Sequence, residues 1–398
     1  MSSIFNFAND VMCFSHLRWK FVFQRPQHLM SRCAERSRVY YLEEPLFQGS
    51  EISLKRAICP LTGVHVFTPF LPAQTPLETV STLLQKLLDD LVQKERIQDF
   101  VAWYYTPMAM EFTDDLGPEL IVYDCMDELS AFANAPVGML NNERKLFERS
   151  NLIFTGGHSL YEAKRSKHEE VHLFPSSVDV AHFSKARAID EDPPDQKLIP
   201  HPRIGYAGVI DERMDLGLLA YLADKRPDWQ FVLLGPVVKI DPSTLPNRIN
   251  IHLLGMKDYQ DLPAYLSGWQ AALLPFAQNE ATRFISPTKT PEYLAAGLPV
   301  ISTPIRDVER PYGKLGLVSI GRSHGDFLKA IEQQLSNGKS PVWESQVRSF
   351  LSSLSWDRTW AGMERLICRE LARKRQLGKE TDVVGPALPK FPASVARV

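Results

Sequence analysis

The chain has 398 residues, 44% hydrophobic and 23% charged, with a net charge of -2. That length exceeds one compact core and fits roughly two domains of 150–200 residues. The balance of charge excludes a general pull toward nucleic acid or anionic lipid, and no apolar run reaches the ~18–20 residues of a membrane span.

Met1-Ser-Ser-Ile-Phe-Asn6 lacks the basic start and long apolar core of a secretory signal. The cysteines Cys13, Cys33, Cys59, Cys125 and Cys368 are scattered, with no C-x-x-C pair. Reduced thiols in a cytoplasm are expected, with neither a disulfide framework nor a zinc site.

Val11-Met-Cys-Phe14 reads as a first strand. Pro26 can open the next helix, with Gln24 and Arg25 just before it and His28 in its first turn. Arg38–Leu42, Val64–Phe67, Val101–Tyr105 and Leu120–Tyr123 read as further strands. Apolar residues at Leu83, Leu84, Leu87, Leu88, Leu91 and Val92 predict an amphipathic helix near 77–96. This alternation implies right-handed crossovers and a mostly parallel α/β sheet, which binds ligands at the carboxyl ends of its strands.

Three places occupy such ends. Arg25 and His28 follow the first strand, and a surface cation in a packed aromatic loop is the plainer alternative. Asp124-Cys-Met-Asp-Glu128 follows Leu120–Tyr123, where a carboxylate can take a proton from a hydroxyl. Asp127 is the first candidate base and Asp124 the second, with a cap plus solvated acids as the alternative. Asn151 to Tyr161 is strand, Gly156-Gly157 loop and helix, with Ser159 as a cap. There His158 either faces the cleft or is solvated.

Residues 188–202 contain Glu191-Asp-Pro-Pro-Asp195 and read as a linker open to proteases. The α/β pattern restarts at Arg203, with Gly205 and Gly208 at a strand end and Arg213 in the loop after it. Gln230–Gly235, Asn250–Gly255 and Ala271–Pro275 read as strands, and Tyr259–Leu266 as a short helix.

Ser286-Pro-Thr-Lys-Thr-Pro-Glu-Tyr-Leu-Ala-Ala-Gly-Leu-Pro-Val300 reads as loop, helix, turn and strand. Thr290 can cap the helix, Pro291 fits its first turn and Gly297 stops it. Free backbone N–H groups, Lys289 and the helix dipole together suit a phosphate. Glu292 can reach a neighbouring pair of hydroxyls. A capped surface helix with solvated Lys289 and Glu292 is the alternative.

This last stretch resembles the donor-site helix of GT-B glycosyltransferases. Gln24-Arg-Pro-Gln-His28 is similar to the N-terminal loop of a bacterial subgroup that assembles surface polysaccharides, of the family 4 and family 1 type. Ser176 to Phe183 resembles the interdomain segment, and Ser355-Trp-Asp-Arg-Thr-Trp360 the final helix that crosses back to the first domain. The resemblance covers residues 10–375. It implies two Rossmann-like domains facing a cleft: an acceptor-side domain over 1–187 and a nucleotide-sugar domain over 203–354. The crossing helix then spans 355–375 and a flexible tail 376–398.

The resemblance also implies the chemistry. A sugar moves from a nucleotide-diphosphate sugar, taken as UDP-linked, to a glycan or lipid-linked acceptor, with no metal and no further cofactor. Arg213, Lys289 and the helix start at Ser286, Thr288 and Thr290 would hold the diphosphate, and Glu292 the ribose. Gly255, Met256 and Lys257 would edge the nucleobase, and Gly208 would leave room for the donor. Arg25, His28 and His158 would lie on the acceptor side, with Asp127 as base if the enzyme inverts. Many retaining members carry a second Glu where this chain has Phe284, and the nearest upstream acid is Glu280. The stereochemical outcome therefore stays open. A sugar-nucleotide 2-epimerase and a non-catalytic scaffold are the competing readings. Trp19, Phe21 and Phe23 with Lys20 could touch the inner face of a membrane, but burial is the reading such aromatics favour.

Overall fold

A computed structural model describes residues 7–383. Met1–Asn6 and residues 384–398, which include most of the expected tail, lie outside the described residues. Residues 376–383 are the end of a helix that runs from Trp356 to Val383.

Among the described residues, the first domain is built on a nine-stranded sheet. Its strands are β1 (Asp10–Ser15), β2 (Arg38–Glu43), β3 (Leu46–Phe47), β4 (Ser53–Ile58), β5 (His65–Leu71), β6 (Phe100–Tyr104), β7 (Leu120–Cys125), β8 (Leu152–Thr155) and β9 (Val171–Leu173). The order is β3-β5-β2-β1-β6-β7-β8-β9, with β4 antiparallel on the outside of β5 and every other pair parallel. Strand alternation sorts the core: Val11 and Cys13 face one apolar cluster, while Met12 and Phe14 face the other.

The second domain has a six-stranded parallel sheet, again among the described residues. Its strands are β10 (Arg203–Ala207), β11 (Gln230–Leu234), β12 (Ile251–Gly255), β13 (Ala271–Leu274), β14 (Val300–Ser302) and β15 (Ser319–Ile320). The order is β12-β11-β10-β13-β14-β15. The fold is α/β, with two parallel-stranded Rossmann-like sheets.

The chain enters this domain earlier than the expected break at 188–202. Val178, Phe183, Ala186 and Ile199 already belong to the second core. The expected linker is also anchored to the second domain, through Gln196 and Asp192. Gln196 is fully buried and accepts from the Trp269 indole at 2.9 Å, and Asp192 pairs with buried Arg203 at 2.7 Å. Prolines and acids there mark a packed turn.

The helix Trp356–Val383 returns to the first sheet. Trp356, Trp360, Met363, Ile367 and Leu371 form one stripe at helical spacing and join the core beneath β1 and β6.

Candidate functional site

The helix expected to bind the donor spans Lys289–Ala295, with Thr288 at its N-cap. Thr290 is therefore not the cap expected from sequence: it lies inside the first turn, fully buried, and its hydroxyl has no partner. Gly297 ends the helix at φ +80°, a conformation costly for other residues. Arg187 donates to the free carbonyls of Ala295 and Leu294 at 3.0 and 3.2 Å. The Tyr293 hydroxyl bonds both the N–H and the carbonyl of Ala207, which pins the helix to the end of β10.

Lys289 and Glu292 are neighbours on this helix, 3.1 Å apart, and Glu292 is only 5% exposed. Burial raises the Glu292 pKa, and Lys289 opposes that. The solvated alternative for the pair is thus excluded. Lys289 opens onto a cleft of about 780 Å³. Gly208, Gly235, Met256, Lys257 and Tyr259 line it from the second domain, and the 19–23 loop lines it from the first. Gly208 and Gly235 meet back to back, because a Cβ on Gly235 would strike the Gly208 carbonyl. Gly255 sits at φ +69° at the end of β12, just before Met256. Lys257 is tied to Asp195 at 2.5 Å. Ser286 lies against Gly157 of the first domain, at the interdomain contact.

A second cleft, about 1240 Å³, adjoins the first at Phe21. Asp127, Arg213, Asp211, His16 and Lys239 all line it. Arg213 is held by Asp211 at 2.7 Å and lies 5.3 Å from the centre of the Phe132 ring, with Lys239 4.9 Å from the same ring. Burial pushes the Asp127 pKa up to about 6; Arg213 pulls it down and Asp211 pushes it up. Asp127 is therefore a carboxylate whose charge changes near neutral pH, with a cation in its field. Asp124, the second candidate, is fully buried in an ion pair with Arg25 and has no access to the cleft.

Three acceptor-side expectations fare differently. Arg25 is fully buried and donates to both oxygens of Asp124 at 2.7–3.0 Å and to the Phe174 carbonyl at 2.8 Å. It is a buried structural cation, not an acceptor ligand. His28 is buried too, stacked on Trp356 at 4.5 Å and edge-on to Phe23 and Tyr259. Burial holds its pKa well below the usual range, so it packs as a neutral ring. His158 is exposed at the start of the helix His158–Lys164, whose first turn donates to Asp307 of the second domain. It belongs to the interdomain contact. Ser159 is likewise not that helix's cap, which is Gly157.

His16 escaped the sequence reading. It follows β1 as Asp127 follows β7, and the same strand-end rule could have found it. Its Nδ1 is buried without a partner, and burial lowers its pKa to about 4, assisted by Lys239. Lys239, Asp211 and Phe132 were missed as well, since each comes from a loop with no motif.

Trp19 is buried edge-on to Tyr41, and Phe23 stacks on Tyr259 at 4.5 Å. The aromatic loop is thus a packed strap between the domains, with Phe21 36% exposed. Glu280 is exposed and pairs with Arg283 at 3.4 Å, and Phe284 packs on the first-domain core. Neither supplies a second acid to the cleft at Lys289. Among the described residues no group of three or more His, Cys, Asp or Glu is placed to hold a metal ion.

Residues 201–337, which hold the Lys289–Ala295 helix and the Arg213 loop, match the family "Glycosyl transferases group 1". The second domain is thus similar to the group 1 glycosyl transferases, and the fold is GT-B. The chain is 22% identical over 295 residues to TuaH of Bacillus subtilis (strain 168), a protein assigned to teichuronic acid biosynthesis as a putative glycosyltransferase. The match covers 69% of this chain and 73% of TuaH. Its fold is similar to a sucrose-phosphate synthase from Thermosynechococcus elongatus, with TM-score 0.68, 14% identity, and coverage of 94% of this chain and 100% of that one. It is also similar to WaaG, described as a glycosyltransferase involved in lipopolysaccharide biosynthesis, with TM-score 0.58, 14% identity, and coverage of 90% and 99%. An E. coli protein of trehalose-6-phosphate chemistry bound with UDP-2-fluoro glucose gives TM-score 0.64, 11% identity, and coverage of 90% and 99%.

Proposed function

We propose that this glycosyltransferase moves a sugar from a UDP-sugar to a hydroxyl of a glycan or lipid-linked acceptor in surface-polysaccharide assembly, without a metal ion. The observation that carries the reading is the pairing of two clefts. Lys289 opens into the first with buried Glu292 paired behind it, and Arg213 faces Asp127 in the second. Charge develops on the leaving diphosphate, and Lys289, Arg213 and the start of the donor helix are fixed there to stabilise it. Glu292 accepts from the ribose hydroxyls, with the unpartnered Thr290 and Tyr259 hydroxyls nearby as further polar groups. Asp127, ionised above about pH 6, takes the proton of the acceptor hydroxyl if the reaction inverts. UDP is favoured by its presence with the E. coli structural relative, and surface polysaccharide by the TuaH likeness. The reaction is placed in the cytoplasm, with the acceptor offered at the inner membrane face. No helix among the described residues is long and apolar enough to cross a membrane.

The test is a thermal-shift screen of UDP, GDP, ADP and TDP, followed by radiolabelled nucleotide sugars with and without acceptor. A ligand at one hundred times its Kd adds about 2.7 kcal/mol of apparent stability. UDP should give the largest shift. Sugar turnover without any acceptor would favour the epimerase, and no nucleotide binding would leave a scaffold.

A further inference from the structure

We infer that the acceptor is amphipathic, an uncharged sugar head carried on a hydrocarbon chain, and that the chain lies in a groove of the first domain. This rests on the glycosyltransferase reading and narrows its acceptor. The groove measures about 1150 Å³ and runs between the helix Leu77–Glu95 and the strand edge β3, β4 and β5. Phe14, Leu42 and Leu54 make its floor, and Leu84 and Leu88 its helix wall. At its rim Phe47 is 44% and Leu77 is 81% exposed. Large apolar side chains left in water around an apolar trench mark a binding surface.

The location decides what binds. Glu44, Thr106 and Pro136 line both this groove and the polar cleft that contains Asp127. A molecule lying in the groove therefore ends beside the proposed base. A protein partner or a second copy has no need of that continuity, whereas an acceptor with an apolar chain and a reactive hydroxyl requires it. The junction also selects the head. Glu44 lies at it, and Glu111 lines the groove beside it. Sugar hydroxyls can donate to these carboxylates, while a phosphate at the same place would meet like charge.

The experiment is calorimetric titration of the full chain, with UDP present, with methyl, hexyl, octyl and decyl glucosides below their micelle concentrations. Affinity should rise about fourfold for each methylene the groove buries. Ser81→Trp, which plugs a half-buried position on the helix wall, and Val80→Glu should each weaken decyl glucoside at least tenfold. UDP binding and the melting temperature should stay unchanged. No dependence on chain length, or an equal dependence in both variants, overturns the groove. Decyl phosphate binding more tightly than decyl glucoside overturns the uncharged head. A concentration-dependent dimer that Ser81→Trp abolishes gives the face to a second copy instead and sinks the proposal. Loss of UDP binding in the wild type would sink the glycosyltransferase reading itself, separately from the groove.

Discussion

On the second-domain wall of the cleft, Lys289 and Glu292 leave one short helix and meet at 3.1 Å. On the first-domain wall, His16, Asp127 and Phe132 come from two loops more than a hundred residues apart. The first arrangement holds paired charges in fixed places, which suits a diphosphate whose shape is constant. The second exposes one titratable carboxyl and one neutral ring, which suits a proton that has to move. The same contrast separates two arginines. Arg25 and Asp124 form a sealed pair with no exposure, whereas Arg213 shares its field between Asp211 and the cleft-facing Asp127. Similar chemistry is sealed in one place and open to the cleft in the other, so only one of them can be reached by a substrate.

The sharpest way to break the comparison is Asp127→Asn. It should lower kcat by about 10²- to 10⁴-fold and leave UDP affinity unchanged, as steady-state rates and calorimetry would show. Asp127 works as a base only when charged, and its pKa stands at about 6. The wild-type rate should therefore fall as pH drops through about 6, and the variant should lose that limb. A limb found near pH 4 would point to His16 instead.

Next in size is the sealed pair. Arg25→Met leaves Asp124 buried without its cation, and should cost about 3–5 kcal/mol in chemical denaturation. Arg25→Met with Asp124→Leu should recover most of that loss. Failure of the double variant to recover would mean that the pair does more than hold the fold.

Lys289→Ala and Arg213→Ala should each weaken UDP by about 1.5–3 kcal/mol, and uridine much less. Equal losses for the two ligands would remove both cations from the diphosphate.

The smallest effect tests what joins the walls. Phe23→Leu removes the stack on Tyr259 and should cost about 1 kcal/mol of interdomain contact. It should appear as a modest rise in KM for the donor with little change in kcat. A fall in kcat alone would place Phe23 in the chemistry.

The second wall was legible in the sequence because its parts are local. Proline, lysine, glutamate and glycine lie within nine residues of each other, and a helix turns that spacing into one face. The strand rhythm was legible for the same reason, since buried parallel strands are short apolar runs. The first wall was only half legible. Asp127 stood out beside a strand end, but His16 sat in an aromatic loop that drew attention to Arg25. Nothing local reveals that Arg25 meets Asp124, 99 residues away. The edge strand β4, Ser-Leu-Lys-Arg-Ala-Ile, is too polar and exposed to show a strand pattern, so the antiparallel edge of the groove was missed. The 188–202 segment misled because composition reports solubility, not whether Gln196 finds an indole to bond.

The returning helix also fixes the order in which the two domains can be finished during synthesis. Trp360 lies against Trp103, and its neighbours Met363, Ile367 and Leu371 cover one face of the first sheet. A ribosome delivers that sheet first, yet its cover comes some two hundred residues after β9. The second domain, whose core runs from Val178 to Leu351, is complete before that cover exists. The first domain made is thus the last one closed, and until then a strip of tryptophan and phenylalanine stays wet, a natural target for chaperones.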